Sequence, residues 1–237
     1  MGKKRVRPHL DIGMTESRAG TNIANEIADL EGRVTDLGAM VQSSISRVIT
    51  ALLLQDAMMA RAVISEDEAI DCCEVEIHES CLSILQEVRP RDGDLRFVVA
   101  VMKINDSLER MGDLTENVAE AIVEVGDWER FLRVKGIEDL AYQAQNMVKD
   151  VLTSLVQRDA ELARQVIRVD DRADAIYAQI KSRIEFELDR IPENANPLLK
   201  LEYITRQFER IADIATNIAE EVIYLVEGKV VRHLKNI

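Results

Sequence analysis

Proline and glycine are scarce, at four and ten residues in a chain of 237. Little therefore interrupts a helix, and the abundance of Leu, Ala, Glu, Arg and Ile favours helices on propensity. Cysteine is scarcer still: Cys72, Cys73 and Cys81, an odd number with two adjacent. There is no CxxC pair and no Cys/His set with zinc-finger spacing. The three thiols read as small apolar residues of helices in a reducing cytosol.

Positive charge is also short. Thirty Lys and Arg face 43 Asp and Glu, for a formal net charge of −13. That balance argues against wrapping nucleic acid and against binding an anionic membrane. The one basic cluster, Lys3, Lys4, Arg5 and Arg7, falls in a segment expected to be a flexible tail over residues 1–21. No apolar run stands out beyond "FVVAVM" (Phe97 to Met102), so neither a membrane span nor a signal peptide is expected. Catalytic signatures are missing too. There is no Gly-rich phosphate loop, no G-x-S-x-G and no convincing Ser/His/Asp set. The E-x-x-H pair of ferritin-like di-iron bundles does not occur. An enzyme is the weaker class.

What the chain does contain is itself, twice. "DAMMARAVI" (Asp56 to Ile64) returns 103 residues on as "DAELARQVI" (Asp159 to Ile167). Asp67 and Asp71 match Asp170 and Asp174 at the same offset, and Pro90 matches Pro192 at 102. "LERMGDLTENVAEAI" (Leu108 to Ile122) matches "FERIADIATNIAEEV" (Phe208 to Val222) at 100. The offset shrinks near the prolines, where loops absorb deletions, so the pattern is that of a duplication.

Each copy reads as three long helices. In the first, helix one spans about residues 22–55. Asp56 caps a short helical continuation, helix two spans 67–88, and "RPRDGD" breaks the chain before helix three at 95–125. Gly126 and Asp127 stop it, and "DWERFLRVKG" opens the second copy. Val101, Ile104, Leu108, Met111, Thr115, Val118, Ile122 and Val125 form a heptad-like seam. Leu201, Ile204, Phe208, Ile211, Ala215, Ile218, Val222 and Leu225 repeat it. The expected fold is all-α, a tandem repeat of two three-helix antiparallel bundles, over residues 22–126 and 127–237.

Taking Leu108 as heptad position a puts Glu109 at b and Asp113 at f, away from the seam. Four residues apart, the two carboxylates share a helix face. Asp67 and Asp71 form a similar pair on helix two. Glu209 with Asp213, and Asp170 with Asp174, repeat both pairs in the second copy. If the paired helices are neighbours, four carboxylates meet on one patch per copy. Such oxygen sets suit Mg²⁺, Mn²⁺, iron or Ca²⁺. The competing reading is a solvated charged face. Arg110 and Arg210 read as cover for apolar surface and partners for nearby acids. Asn117 and Asn217 are either further oxygen ligands or contacts across a helix pair. His9, His78 and His233 have no partner histidine at ligand spacing and read as incidental.

"RDGDLRFVVAVMKINDSLERMGDLTENVAE" and "FERIADIATNIAEEVIYLVEGKVVRH" resemble the two signature segments of the PhoU family. The resemblance runs from about Asn22 to His233. It departs where histidine often follows the motif aspartate, since Leu114 and Ile214 stand there. It implies two three-helix bundles with iron, or alternatively Zn, Mn or Mg, on an acidic surface. Carried over by position, the metal ligands would be Glu109, Asp113, Glu209 and Asp213, supported by Asp67, Asp71, Asp170 and Asp174. It further implies a cytoplasmic accessory protein that links a phosphate ABC transporter to a membrane sensor histidine kinase. Such a protein represses the phosphate-starvation response when phosphate is plentiful. A homodimer is the expected assembly, with no nucleic acid bound and no insertion into the membrane. The alternative is a metal-dependent hydrolase of phosphate compounds.

Overall fold

The computed structural model describes residues 12–87, 92–125, 134–190 and 195–231. These form six α-helices, and no strand occurs among them. Helices α1 (Ile12–Leu54), α2 (Ala57–Glu87) and α3 (Asp92–Val125) make the first bundle. Helices α4 (Ile137–Gln157), α5 (Ala160–Arg190) and α6 (Ala195–Glu227) make the second. The all-α tandem repeat expected from the sequence is what the chain adopts.

Three helix starts differ from the sequence reading, the smallest difference being α3, which begins at Asp92 within "RPRDGD" rather than at 95. The short continuation after Asp56 and the helix expected from Asp67 are one unbroken α2. No glycine or proline lies between Ala57 and Glu87, so nothing stops propagation at one hydrogen bond per residue. Helix α1 begins at Ile12, ten residues before the expected start at Asn22, because an established helix extends at little cost. Helix α3 ends at Val125, next to the expected stop; Gly126 and Asp127 themselves lie outside the described residues.

The α1–α2 and α4–α5 connections are the same structure twice. Gln55 and Arg158 turn left-handed, at φ 57° and 51°. The amide of Asp56 donates to the Ala51 carbonyl at 2.9 Å, and that of Asp159 to Ser154 at 2.9 Å. These six-to-one bonds close a Schellman turn. The Asp56 carboxylate then accepts from the Met58 and Met59 amides, both at 3.0 Å. Asp159 does the same for Glu161 at 2.9 Å and Leu162 at 3.0 Å. Each aspartate satisfies two orphan donors of the helix it starts.

All of the seam residues of α3 and α6 are buried except the half-buried Val125. The two bundles meet along α3–α6 and α1–α4, and their buried side chains form one continuous core. The α3–α6 contact is pseudo-symmetric. Lys103 on α3 donates to Glu221 on α6 at 3.1 Å. At the matching place on α6, the Tyr203 hydroxyl donates to Asn117 of α3 at 3.0 Å. Helices α1 and α4 approach closely at Gly38, where a Cβ would meet a Leu152 methyl at 2.8 Å. Helices α2 and α5 pack on the outer sides, α2 on α1 and α3, α5 on α4 and α6.

One apolar stretch escaped the sequence reading. Residues 23–54 of α1 are long and apolar enough, by length and composition, to cross a membrane. Here Leu30, Val34, Leu37, Val41, Ile45 and Val48 point into the bundle core at the helical spacing of three and four.

Candidate functional site

Helices α2 and α3 run antiparallel, and Asn105 ties them by donating its amide to the Glu74 carbonyl at 3.0 Å. That register brings Asp67 and Asp71 of α2 opposite Asp113 of α3. One carboxylate oxygen from each lies within 4.8 Å of the others. Asp71 and Asp113 are exposed, whereas Asp67 is only 7% exposed. Close helix contact accounts for its burial. Gly112 lies against Asp67, and a Cβ there would stand 3.1 Å from Asp67 Oδ1.

The second bundle repeats the arrangement. Asp170 and Asp174 of α5 meet Asp213 of α6, again with one oxygen each within 4.8 Å. Ala212 takes the place of Gly112. Asp170 Oδ1 is buried and has no hydrogen-bond partner. A buried polar oxygen left unpaired requires a compensating group.

The electrostatics of both groups run one way. Burial, followed by the charges of Glu116, Asp71, Asp113 and Glu109, pushes Asp67 up to about 6. Burial, followed by Asp213, Asp174, Asp171 and Glu209, pushes Asp170 up to about 7. Asp113 and Asp213 are also raised, by burial and then by Asp71 and Asp174 respectively. Arg110 and Arg210 work against that shift. Glu109 and Glu209 stand outside the two tight triads but feel them. Burial raises each, followed by Asp113 and Asp71 for Glu109, and by Asp213 and Asp174 for Glu209.

All eight carboxylates expected from the sequence therefore fall on the two acidic seams, six of them in the triads. One member was missed. Glu116 is the leading charge acting on Asp67, and its own carboxyl is raised by burial and by Glu120, Asp113 and Asp71. Its spacing of three from Asp113 and seven from Glu109 was the available signal. Thr216 stands at the matching place in the second copy, so the first seam is the more acidic.

One open reading closes and another changes. Asn117 is a helix contact: it donates to the Asp113 carbonyl at 2.7 Å and accepts from Tyr203. His78 is not isolated. One of its nitrogens lies within 4.8 Å of carboxylate oxygens of Glu74 and Asp106. Arg110 and Arg210 are both exposed, and Arg210 donates to Gln207 at 3.4 Å. His9 and His233 lie outside the described residues. Of the thiols, Cys81 is buried as expected, while Cys72 is exposed.

The donor set suits a cation. Each triad offers carboxylate oxygen only, with one acid withdrawn from solvent (Asp67 buried, Asp170 half-buried) and two exposed, and its carboxyls are destabilised as anions by burial and mutual repulsion. A hard or borderline divalent ion would offset both effects and give Asp170 Oδ1 a partner.

The PhoU domain matches the chain twice, over residues 34–122 and 137–222. The chain belongs to the PhoU family. Each match spans one acidic seam. A relative from Aquifex aeolicus (strain VF5), named phosphate-specific transport system accessory protein PhoU homolog, is 34% identical over 208 residues. The alignment covers 88% of this chain and 94% of the relative. The crystal structure of PhoU from Pseudomonas aeruginosa is similar at a TM-score of 0.82 and 29% identity, covering 87% of this chain and 99% of that one. The phosphate transport system regulatory protein PhoU from Streptococcus pneumoniae is similar at a TM-score of 0.81 and 28% identity, over 88% and 98%.

Proposed function

We propose that the protein is a cytoplasmic accessory regulator of phosphate uptake and phosphate-starvation signalling, and that it acts by binding. Its partners are the phosphate ABC transporter and its sensor histidine kinase at the inner face of the membrane, and it represses the starvation response when phosphate is plentiful. The observation that carries this reading is the double PhoU-domain match, with one acidic seam inside each match. Relatives over nearly the full length are named as accessory proteins of phosphate-specific transport.

Metal belongs to the same reading. Asp67, Asp71 and Asp113, with Glu109 beside them, would hold ions in the first bundle. Asp170, Asp174 and Asp213, with Glu209, would do so in the second. The ion supplies positive charge that converts a self-repelling carboxylate patch into a fixed surface. Iron is the leading candidate, with Zn, Mn and Mg as alternatives, and the working unit is a homodimer. The chain's own residues position oxygen ligands on rigid helices and leave the exposed acids of each seam facing solvent.

Deleting the gene and measuring phosphate-starvation gene expression in high phosphate tests the role. Expression should rise and return to its repressed level when the wild-type chain is restored. Repression that persists without the protein contradicts it. Turnover of phosphate monoesters with added Mn²⁺ or Fe²⁺ would favour the hydrolase alternative.

A further inference from the structure

Next to the first acidic triad, one turn further along α2, lies a group of different chemistry. Glu74 and His78 share a face of α2, four residues apart, and Asp106 faces them from α3. One carboxylate oxygen of each acid and one imidazole nitrogen lie within 4.8 Å of one another. Unlike the seams, this set mixes nitrogen with oxygen.

Asn105 adds an independent observation. It is fully buried on α3, beside Asp106 in sequence. Its amide donates to Glu74 Oε1 at 2.9 Å as well as to the Glu74 carbonyl, which orients that carboxylate. Its own Oδ1 is buried with no hydrogen-bond partner. A side chain that fixes a carboxylate by a hydrogen bond is the usual support of a metal ligand.

The second bundle shows what the position looks like without this chemistry. At the matching places stand Tyr177 for Glu74, Lys181 for His78, Thr205 for Asn105 and Arg206 for Asp106. Tyr177 donates its hydroxyl to Glu202 at 3.0 Å. Two ligating groups have become cations, so the position can repel a metal ion in one copy and accept one in the other. The acidic triad is kept in both copies, whereas this neighbouring group is present in the first alone.

We infer that Glu74, His78 and Asp106 form a separate divalent-cation site of the first bundle only, selective for borderline ions such as Zn²⁺ that take imidazole together with carboxylate. Two carboxylates and one imidazole leave room for water as a fourth ligand, the ligand number of an open zinc site. The Glu109 carboxyl, raised chiefly by burial, also feels charges of both groups, Asp113 and Asp71 of the triad and Glu74 and Asp106 of this one. The inference does not depend on the role in phosphate signalling.

The test is calorimetric titration of the chelator-stripped full chain with Zn²⁺, comparing wild type with His78→Gln, Asp106→Asn, Asn105→Ala and Asp113→Asn. His78→Gln changes a half-buried side chain and Asp106→Asn an exposed one, and an unchanged melt in chelator shows that they fold. Each should remove one bound Zn²⁺ per chain, whereas Asp113→Asn should leave that ion in place. Asn105→Ala should weaken it by about ten- to a hundredfold. Cobalt substitution gives a second readout, a visible band present in wild type and lost in His78→Gln. Unchanged Zn²⁺ stoichiometry and affinity in both His78→Gln and Asp106→Asn would overturn the site.

Discussion

Asp67 and Asp170 hold the same place in the two bundles, and each is the least exposed carboxylate of its triad. Both are raised far above the usual carboxylate range, to about 6 and about 7, chiefly by burial. In the unfolded chain both would titrate near the ordinary aspartate value of about 4. Between that value and their folded values, the folded state binds more protons than the unfolded one. Stability contributed by these two groups is therefore lost as pH rises, being unpenalised below about 4 and fully penalised above about 7. In the presence of chelator, the difference in melting temperature between pH 5 and pH 8 should shrink when Asp67→Asn and Asp170→Asn are combined. A double variant with the wild-type pH dependence would show that these carboxyls are not the cause.

Gln55 should be replaceable with profit. It sits at a left-handed position that costs a residue with a Cβ about 1–2 kcal/mol. Gln55→Gly should stabilise the protein by about 0.5–1 kcal/mol in a denaturant melt. Arg158→Gly should gain less. Arg158 also pairs with Glu31 at 3.0 Å and lies over the Phe97 ring at 5.1 Å, and glycine forfeits both contacts.

The two capping aspartates should be worth the same. Asp56→Ala and Asp159→Ala each strip two backbone amides of their acceptor. Each is expected to cost about 1 kcal/mol. The sites are in separate connections, so the double variant should cost about the sum. A cost near zero for either would mean that water replaces the cap.

Much of this architecture was legible in the sequence because helices write their packing face in their own period. The seam from Val101 to Ile122 and its copy from Leu201 to Leu225 are buried as that period requires. Asp56 announced its cap. The single α2 did not show, because Asp67 and Asp71 look like the polar start of a new helix although nothing before them stops the old one. Heptad arithmetic placed Glu109 and Asp113 off the seam but could not see how close the neighbouring helix stands. Gly112 sets that distance for Asp67, and its effect lies on another helix. His78 was passed over for the same reason, since Asp106, which completes its group, comes from α3.

Metal analysis tests the central claim most directly: each bundle holds divalent metal on its own acidic seam. The protein should be purified without chelators, and its metal content should be measured for wild type, Asp113→Asn, Asp213→Asn and the double variant. Each single variant should lose the metal held by its own seam and keep that of the other seam, and the double variant should lose both seam shares, leaving at most the ion held by Glu74, His78 and Asp106. Added Fe²⁺ or Mn²⁺ should raise the wild-type melting temperature, since a ligand at about a hundred times its Kd adds roughly 2.7 kcal/mol. A wild-type protein that purifies free of metal, with a melting temperature unmoved by Fe²⁺, Mn²⁺, Zn²⁺ and Mg²⁺, would contradict the account and leave the two seams as solvated acidic surface.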